Sequence, residues 1–459
     1  MAHTTKDGNL SNATIVRQPI NPLARKNAQT LVMGFALIIL IGTLLLRLPI
    51  AGTERPLTWS EAFFTSTSAT TVTGLVVINP ARDLSLFGQI IVLLLIEVGG
   101  IGFVAFSVLL FSLIGRRLGI AERLLLRQSL GVMHTVGIGR LTLYVLFVTA
   151  IIQLAGAILL WLRWWPELGM GRAAYMAIFH SISAFCNAGF DLYSGVDSTL
   201  FGFGNDIFTL TVLMVLITFG GLGILVALDL ITFPWDNKLL VHTKLTLIIS
   251  ATLVILGVIV FSFDNLFSTI HNATPIERFW VALFSVISSR TAGLTIIPMD
   301  ELSESSVLIL MISMFIGGAP ASMAGGVTIS TVGVLIVAVV ATVRGKPQSV
   351  IFGRTLPLET IGKAVAIMTV STLLCFVVTL ILLVDRTGSG FAVGFEVISA
   401  FSNTGYSLGT TSELDGLGRI LIALTMFWGR IGPLTLVVLV AQQEKPTTAL
   451  YPSEQIVIG

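Results

Sequence analysis

Four glycines, Gly74, Gly189, Gly293 and Gly405, stand in like surroundings: TVTGL, CNAGF, RTAGL and NTGYS. Ahead of each runs a helix-like stretch rich in Phe, Ser and Ala, and the glycines recur at intervals of 115, 104 and 112 residues. Glycine accepts backbone angles that other residues avoid and lets two main chains approach closely. Such a turn offers main-chain carbonyls rather than acids, thiols or imidazoles, so the chemistry it suits is replacement of a cation's water shell. The positions that would carry it are Val72, Thr73 and Gly74; Asn187, Ala188 and Gly189; Thr291, Ala292 and Gly293; and Asn403, Thr404 and Gly405. A single turn reads equally well as a surface re-entrant loop or an interfacial hairpin. Four of them, evenly spaced, favour one shared site.

The elements that must position these turns are membrane helices. Of 459 residues, 54% are hydrophobic and only 11% charged, against about 25% charged in soluble domains. Apolar runs of roughly 20 residues, enough to cross the bilayer, begin near Leu31 and recur to the C-terminus. They fall into pairs: 29–50 with 84–115, 139–162 with 205–232, 242–263 with 303–341, and 357–384 with 416–441. Between the members of each pair lies a glycine turn on a segment too short to cross, which must dip in and return. Lys and Arg gather in alternate loops, from Arg17, Arg25 and Lys26 through Arg116–Arg140 and Arg344–Lys363 to Lys445. The positive-inside rule makes these loops cytoplasmic, with both termini. The expected fold is an all-α membrane protein of eight transmembrane spans in four repeats: 29–115, 116–232, 233–341 and 342–441. Cytoplasmic tails 1–28 and 442–459 flank them, and the polar N-terminus lacks the pattern of a cleaved signal peptide.

Non-helical backbone at membrane depth needs surrounding protein or a watery cavity, and four turns around one axis supply that together. A second irregularity lies in the third unit, where Gly317, Gly318, Ala319, Pro320, Ser322, Gly325, Gly326 and Thr328 interrupt an apolar run. Proline and glycine predict a broken helix there, either an ordinary kink or a loop beneath the turns. Arg430, in TMFWGRIGPLT, is expected inside the last span, away from either end. A charge at that depth costs about 2.5 kcal/mol or more on insertion scales, so it faces a cavity, snorkels to the interface or pairs with an acid such as Glu97.

Enzyme chemistry finds little support. Cys186 and Cys375 make neither a disulfide framework nor a metal pair, and no P-loop or dinucleotide fingerprint is present. His180, Ser181 and Cys186 lie close in sequence, but neighbours on a helix do not face each other and no orienting acid is evident. Packing behind the turns is the expectation for His180 and Ser181. Glu97 and Asp229 read as helix-packing or helix-end contacts.

With its four turns, its glycine-rich third inner helix and GRIGPLT, the chain resembles the Trk/Ktr/HKT superfamily of potassium transporters from about Leu31 to Val440. Lacking an additional helical pair before the first unit, it is most similar to the membrane subunits of Ktr type. The resemblance implies an outer helix, a pore helix, a filter strand and an inner helix in each unit, with K⁺ selectivity from glycine in all four filters. It implies a gating loop at Gly317–Thr328, an electrostatic barrier at Arg430, possible Na⁺ dependence and no covalently bound cofactor. A homodimer in the cell membrane, among its lipids, would be controlled by a cytoplasmic, KtrA-like nucleotide-binding ring. The filters depart from four identical loops, since only the central glycine is common; a sodium-permeable or non-selective cation transporter of the same build is the alternative.

Overall fold

The structure, a computed structural model, describes residues 22–102, 138–193, 206–264, 274–320, 322–384 and 389–432. The tails before residue 22 and after 432, the cations from Arg116 to Arg127, and the ends of the expected spans at 103–115 and 433–441 lie outside the described residues. Among the described residues the regular structure is helical, apart from one antiparallel hairpin, β1 (Val350–Ile351) with β2 (Arg354–Thr355).

Fourteen helices of ten or more residues are described, α1 to α14. The first three are α1 (Pro22–Leu46), α2 (Trp59–Thr70) and α3 (Leu86–Ile101); then come α4 (Ile138–Leu168), α5 (Met170–Cys186), α6 (Ile207–Leu222) and α7 (Ile224–Asp236). The third group is α8 (Val241–Ser262), α9 (Pro275–Ser289), α10 (Glu304–Phe315) and α11 (Ile329–Val343); the last is α12 (Leu358–Val384), α13 (Gly390–Ser402) and α14 (Gly416–Ile431).

Among the described residues, four helices are long and apolar enough to cross a membrane: Ala28–Leu46, Thr142–Leu168, Val241–Ser262 and Leu358–Val384. A fifth candidate is the pair Ile207–Leu222 and Val226–Pro234, bent by 103°. The later helices of the groups are shorter among the described residues. Gly102, Gly223 and Gly432 end α3, α6 and α14 at φ of 90°, 77° and 89°, angles that glycine adopts without a side-chain penalty. For α10 the stop is the irregular stretch after Phe315.

The short helices α2, α5, α9 and α13 are the centre of the molecule. Each packs between the helix before it and the helix after it in its own group, α2 between α1 and α3, α5 between α4 and α6, α9 between α8 and α10, and α13 between α12 and α14. Each also touches the helix that follows the short helix of the group before it: α5 meets α3, α9 meets α6, α13 meets α10, and α2 meets α14. The contacts close a ring. Their serines and threonines are buried, among them Ser66, Ser68, Ser183, Ser288 and Ser399, and buried hydroxyls call for partners. Ser66 and Ser181 donate to the Ile39 and Gln153 carbonyls of α1 and α4 at 2.7 and 2.6 Å.

Candidate functional site

Each short helix ends in a turn built by one rule. The glycine has positive φ, at 87°, 70°, 68° and 95° for Gly74, Gly189, Gly293 and Gly405, and so does the residue two before it: Val72 (59°), Asn187 (58°), Thr291 (75°) and Asn403 (54°). Two left-handed residues in three turn the chain back on itself. The returning strands are tied to the helices by serines: Gly74 and Gly405 donate N–H to Ser68 and Ser399 Oγ at 3.1 Å, while Ser183 and Ser288 donate to the carbonyls of Phe190 and Leu294 at 2.7 Å.

The four turns meet. A methyl group on Gly74 would lie 2.5 Å from Ala188 O, on Gly189 2.8 Å from Ala292 O, on Gly293 1.8 Å from Thr404 O, and on Gly405 2.2 Å from Thr73 O. Each turn thus presses the carbonyl before its own glycine against the glycine of the turn before, and the cycle closes. All twelve residues singled out in the sequence are brought to this ring. On one side it faces a cavity of about 700 Å³ lined by the four glycines, with Asp83, Asp300, Glu301 and Arg82 among its polar groups. Arg82 pairs with Asp83 at 3.0 Å. Nearby, Arg55 bonds both oxygens of Glu61 at the start of α2, and that interaction holds the Glu61 carboxyl down to about 2.

Glycines on the helices that follow three of the turns let the ring be this tight. A methyl on Gly99, Gly220 or Gly429 would sit 1.9 Å from the carbonyl of Thr70, Phe185 or Phe401, each four residues before a turn glycine. These begin three aligned stretches, GGIG, GGLG and GRIG. Arg430 therefore takes the place that Gly100 and Gly221 hold in the other two. This corrects the expected position of Arg430 in mid-helix: it lies in the last turn of α14, one residue short of its end, because Gly432 stops the helix.

The guanidinium of Arg430 reaches across the ring's other side to main-chain oxygens, Gly99 at 2.5 Å, Gly100 at 2.8 Å and Met323. Gly99 and Gly100 are in the last turn of α3, whose carbonyls lack helical partners and carry the negative end of the helix dipole. Glu97, the partner considered from sequence, is engaged instead by Gln153 Nε2 at 3.0 Å and by the Cys186 thiol at 3.6 Å.

Met323 belongs to the break in the third group. Helix stops at Phe315 and resumes at Ile329, and the excursion is clasped at its neck, where Gly317 N donates to Val327 O (2.9 Å) and Val327 N to Phe315 O (3.2 Å). Its crown is bonded to the end of α6: Ala319 N to Gly221 O and Met323 N to Gly220 O, both 3.1 Å. Gly325 lies under the fourth turn, where a methyl would come within 2.1 Å of Asn403 Oδ1. Apart from Ala321, which lies outside the described residues, the segment from Gly317 to Thr328 is thus a compact loop on the side of the ring away from the cavity.

His180 and Ser181 pack behind the turns, as the sequence led us to expect, but an acid does face the histidine. Asp191 Oδ1 is 2.7 Å from His180 Nε2. It follows the second turn, and the reversal at Gly189 brings it back alongside α5. Asp229 takes the Leu240 N–H at 2.9 Å, a helix-end contact.

Comparison with known proteins places this geometry. The TrkH family, cation transport protein, matches residues 8–449. Ktr system potassium uptake protein B of Bacillus subtilis (strain 168) is 35% identical over 437 residues, spanning 94% of this chain and 96% of that protein. Potassium/sodium uptake protein NtpJ of Enterococcus hirae is 33% identical, over 97% of this chain and 98% of its own. The crystal structure of the potassium transporter TrkH from Vibrio parahaemolyticus shares the fold, with a TM-score of 0.72 at 19% identity over 91% of this chain and 85% of that one. The chain belongs to the TrkH/Ktr family of membrane cation transporters, and is not an enzyme.

Proposed function

We propose that this chain is the ion-translocating membrane subunit of a potassium uptake system, and that the four glycine turns are its selectivity filter. The observation that carries this is the closed cycle of glycine-to-carbonyl approaches. Cation selection of this kind needs several main-chain oxygens converging on one axis, and each turn brings Val72–Gly74, Asn187–Gly189, Thr291–Gly293 or Asn403–Gly405 to it. The acidic mouth at Asp300 and Glu301 raises the local cation concentration. Four units, 29–115, 116–232, 233–341 and 342–441, give eight passages around the axis; the ring of helix contacts and the matched turns support that count.

Below the filter, the Gly317–Thr328 loop is the gate, held closed by the α6 carbonyls and by Arg430. Arg430 also sets a positive charge under the filter, an electrostatic barrier to the departing cation. Na⁺ dependence, control by a cytoplasmic nucleotide-binding ring, assembly as a homodimer, cytoplasmic termini and a place in the cell membrane extend the proposal by family resemblance. The relatives' names, Ktr system and potassium/sodium uptake protein, are in keeping with it.

The test is ⁸⁶Rb⁺ uptake into liposomes holding the purified chain, with K⁺ and Na⁺ as competitors. We expect K⁺-sensitive uptake, and Gly293→Ser to shift the competition toward Na⁺. Equal competition by K⁺ and Na⁺ in the wild type would favour the non-selective alternative; uptake absent even with the regulatory ring added would overturn the filter. Arg430→Ala is expected to raise uptake, and a lower rate in protein that still folds would remove the barrier role.

A further inference from the structure

We infer that His180 and Glu396 are positioning residues, which brace the outer half of the second and fourth turns and thereby set the discrimination between monovalent cations; the inference rests on the filter proposed above. The two occupy the same place, nine residues before Gly189 and Gly405, and both are buried, at 0% and 1% exposure. Each grips the second residue past its glycine. His180 Nε2 lies 2.7 Å from Asp191 Oδ1 and donates to it. Glu396 accepts the Ser407 hydroxyl, and takes Thr411 Oγ1 at 2.7 Å and Thr411 N at 3.3 Å.

Packing alone does not call for these side chains. The same place holds Thr65 in α2 and Phe284 in α9, and the partner positions there are Val76 and Thr295. Burying an ionisable group costs free energy that an apolar one of like volume avoids, so the two braces do something Phe284 does not. Their geometry is fixed on all sides. Nδ1 of His180 donates to Met176 O at 2.7 Å, and Trp164 meets the ring edge-on at 5.3 Å between centroids. Asp191 Oδ1 also accepts the Tyr193 N–H at 2.6 Å, so the imidazole holds a pre-formed turn. From the fourth turn, the Tyr406 hydroxyl donates to Ser285 O at 2.9 Å, which passes the restraint to the third group. A carbonyl cage selects through the size of its cavity and the field of its carbonyl dipoles, and both depend on where the turns hold those oxygens. The brace on two opposite turns supplies that hold.

Competition of ⁸⁶Rb⁺ uptake by K⁺ and by Na⁺, in liposomes holding the full chain, tests this. His180→Ala and Glu396→Ala should each lower the preference for K⁺ over Na⁺ about fivefold or more, the scale of one lost hydrogen bond. Thr65→Val, at the same place in the first group, should leave it within about twofold. Glu396→Gln keeps an acceptor oxygen and should recover part of the loss. If the alanine variants fail to fold, Asp191→Asn and Glu396→Gln, which keep shape, carry the test, each with a smaller shift in the same direction. Wild-type preference in every brace variant, with only the rate reduced, would overturn the inference, as would an equal shift in Thr65→Val. Uptake insensitive to K⁺ in the wild type would instead remove the filter on which it rests.

Discussion

The first and third turns are held differently from the second and fourth. Their helices, α2 and α9, begin with capping boxes, Thr58 with Glu61 and Thr274 with Glu277, which satisfy main-chain donors at the helix start. Helices α5 and α13 have no side-chain cap, starting after Gly169 at φ 77° and after Ser389. At the other end the pattern reverses. The left-handed residue is Val72 or Thr291 in the first and third turns and Asn187 or Asn403 in the second and fourth. A branched side chain in that region costs about 1–2 kcal/mol, whereas asparagine tolerates it and can use its amide. Asn403 Nδ2 donates to Met426 O at 2.8 Å and to Thr73 Oγ1 at 2.9 Å. With its amide nitrogen turned toward α6, Asn187 donates to Ile217 O at 3.2 Å, three residues before Gly220, as Met426 is before Gly429. Fourfold in backbone, the ring is twofold in how it is held: capped and strained at one pair of turns, uncapped but braced at the other.

Substitutions that exchange the two kinds of turn should break this pattern in order of size. Asn403→Val puts a branched residue in the left-handed region and removes both amide bonds, so it should destabilise by about 2–3 kcal/mol. Thermal unfolding in detergent would register it, and no change in Tm would mean that the asparagines do not hold their turns. The reverse exchange, Val72→Asn, should stabilise by about 1 kcal/mol by relieving strain; a loss would mean that the valine side chain, not its backbone, matters there. Smallest is the cap: Thr274→Ala should cost about 1 kcal/mol, while Ser389→Ala, with no cap bond to lose, should stay within about 0.5 kcal/mol.

Much of the site was legible because its signals are local. Glycine, with Thr or Asn before it, marks a left-handed turn in any context, and Gly317–Gly318, Pro320 and Gly325–Gly326 cannot sustain a helix, so the break between Phe315 and Ile329 followed from composition. What escaped depends on the fold. Asp191 is eleven residues from His180 and reaches it only because the chain reverses at Gly189. Gly99, Gly220 and Gly429 read as ordinary packing glycines until the carbonyls of Thr70, Phe185 and Phe401 are seen against them. A signal was present: GGIG, GGLG and GRIG align, and the alignment puts Arg430 in a glycine's place at a helix end.

The most direct measurement is where a heavy monovalent cation sits. Crystals grown in Rb⁺ in place of K⁺, measured for anomalous scattering, should give a peak on the axis between Gly74, Gly189, Gly293 and Gly405, within coordinating distance of the carbonyls of Thr73, Ala188, Ala292 and Thr404. A peak there, reduced when Na⁺ replaces Rb⁺, is what one filter made of four turns predicts. Rb⁺ bound elsewhere in the membrane region, with the ring empty at saturating concentration, would contradict it.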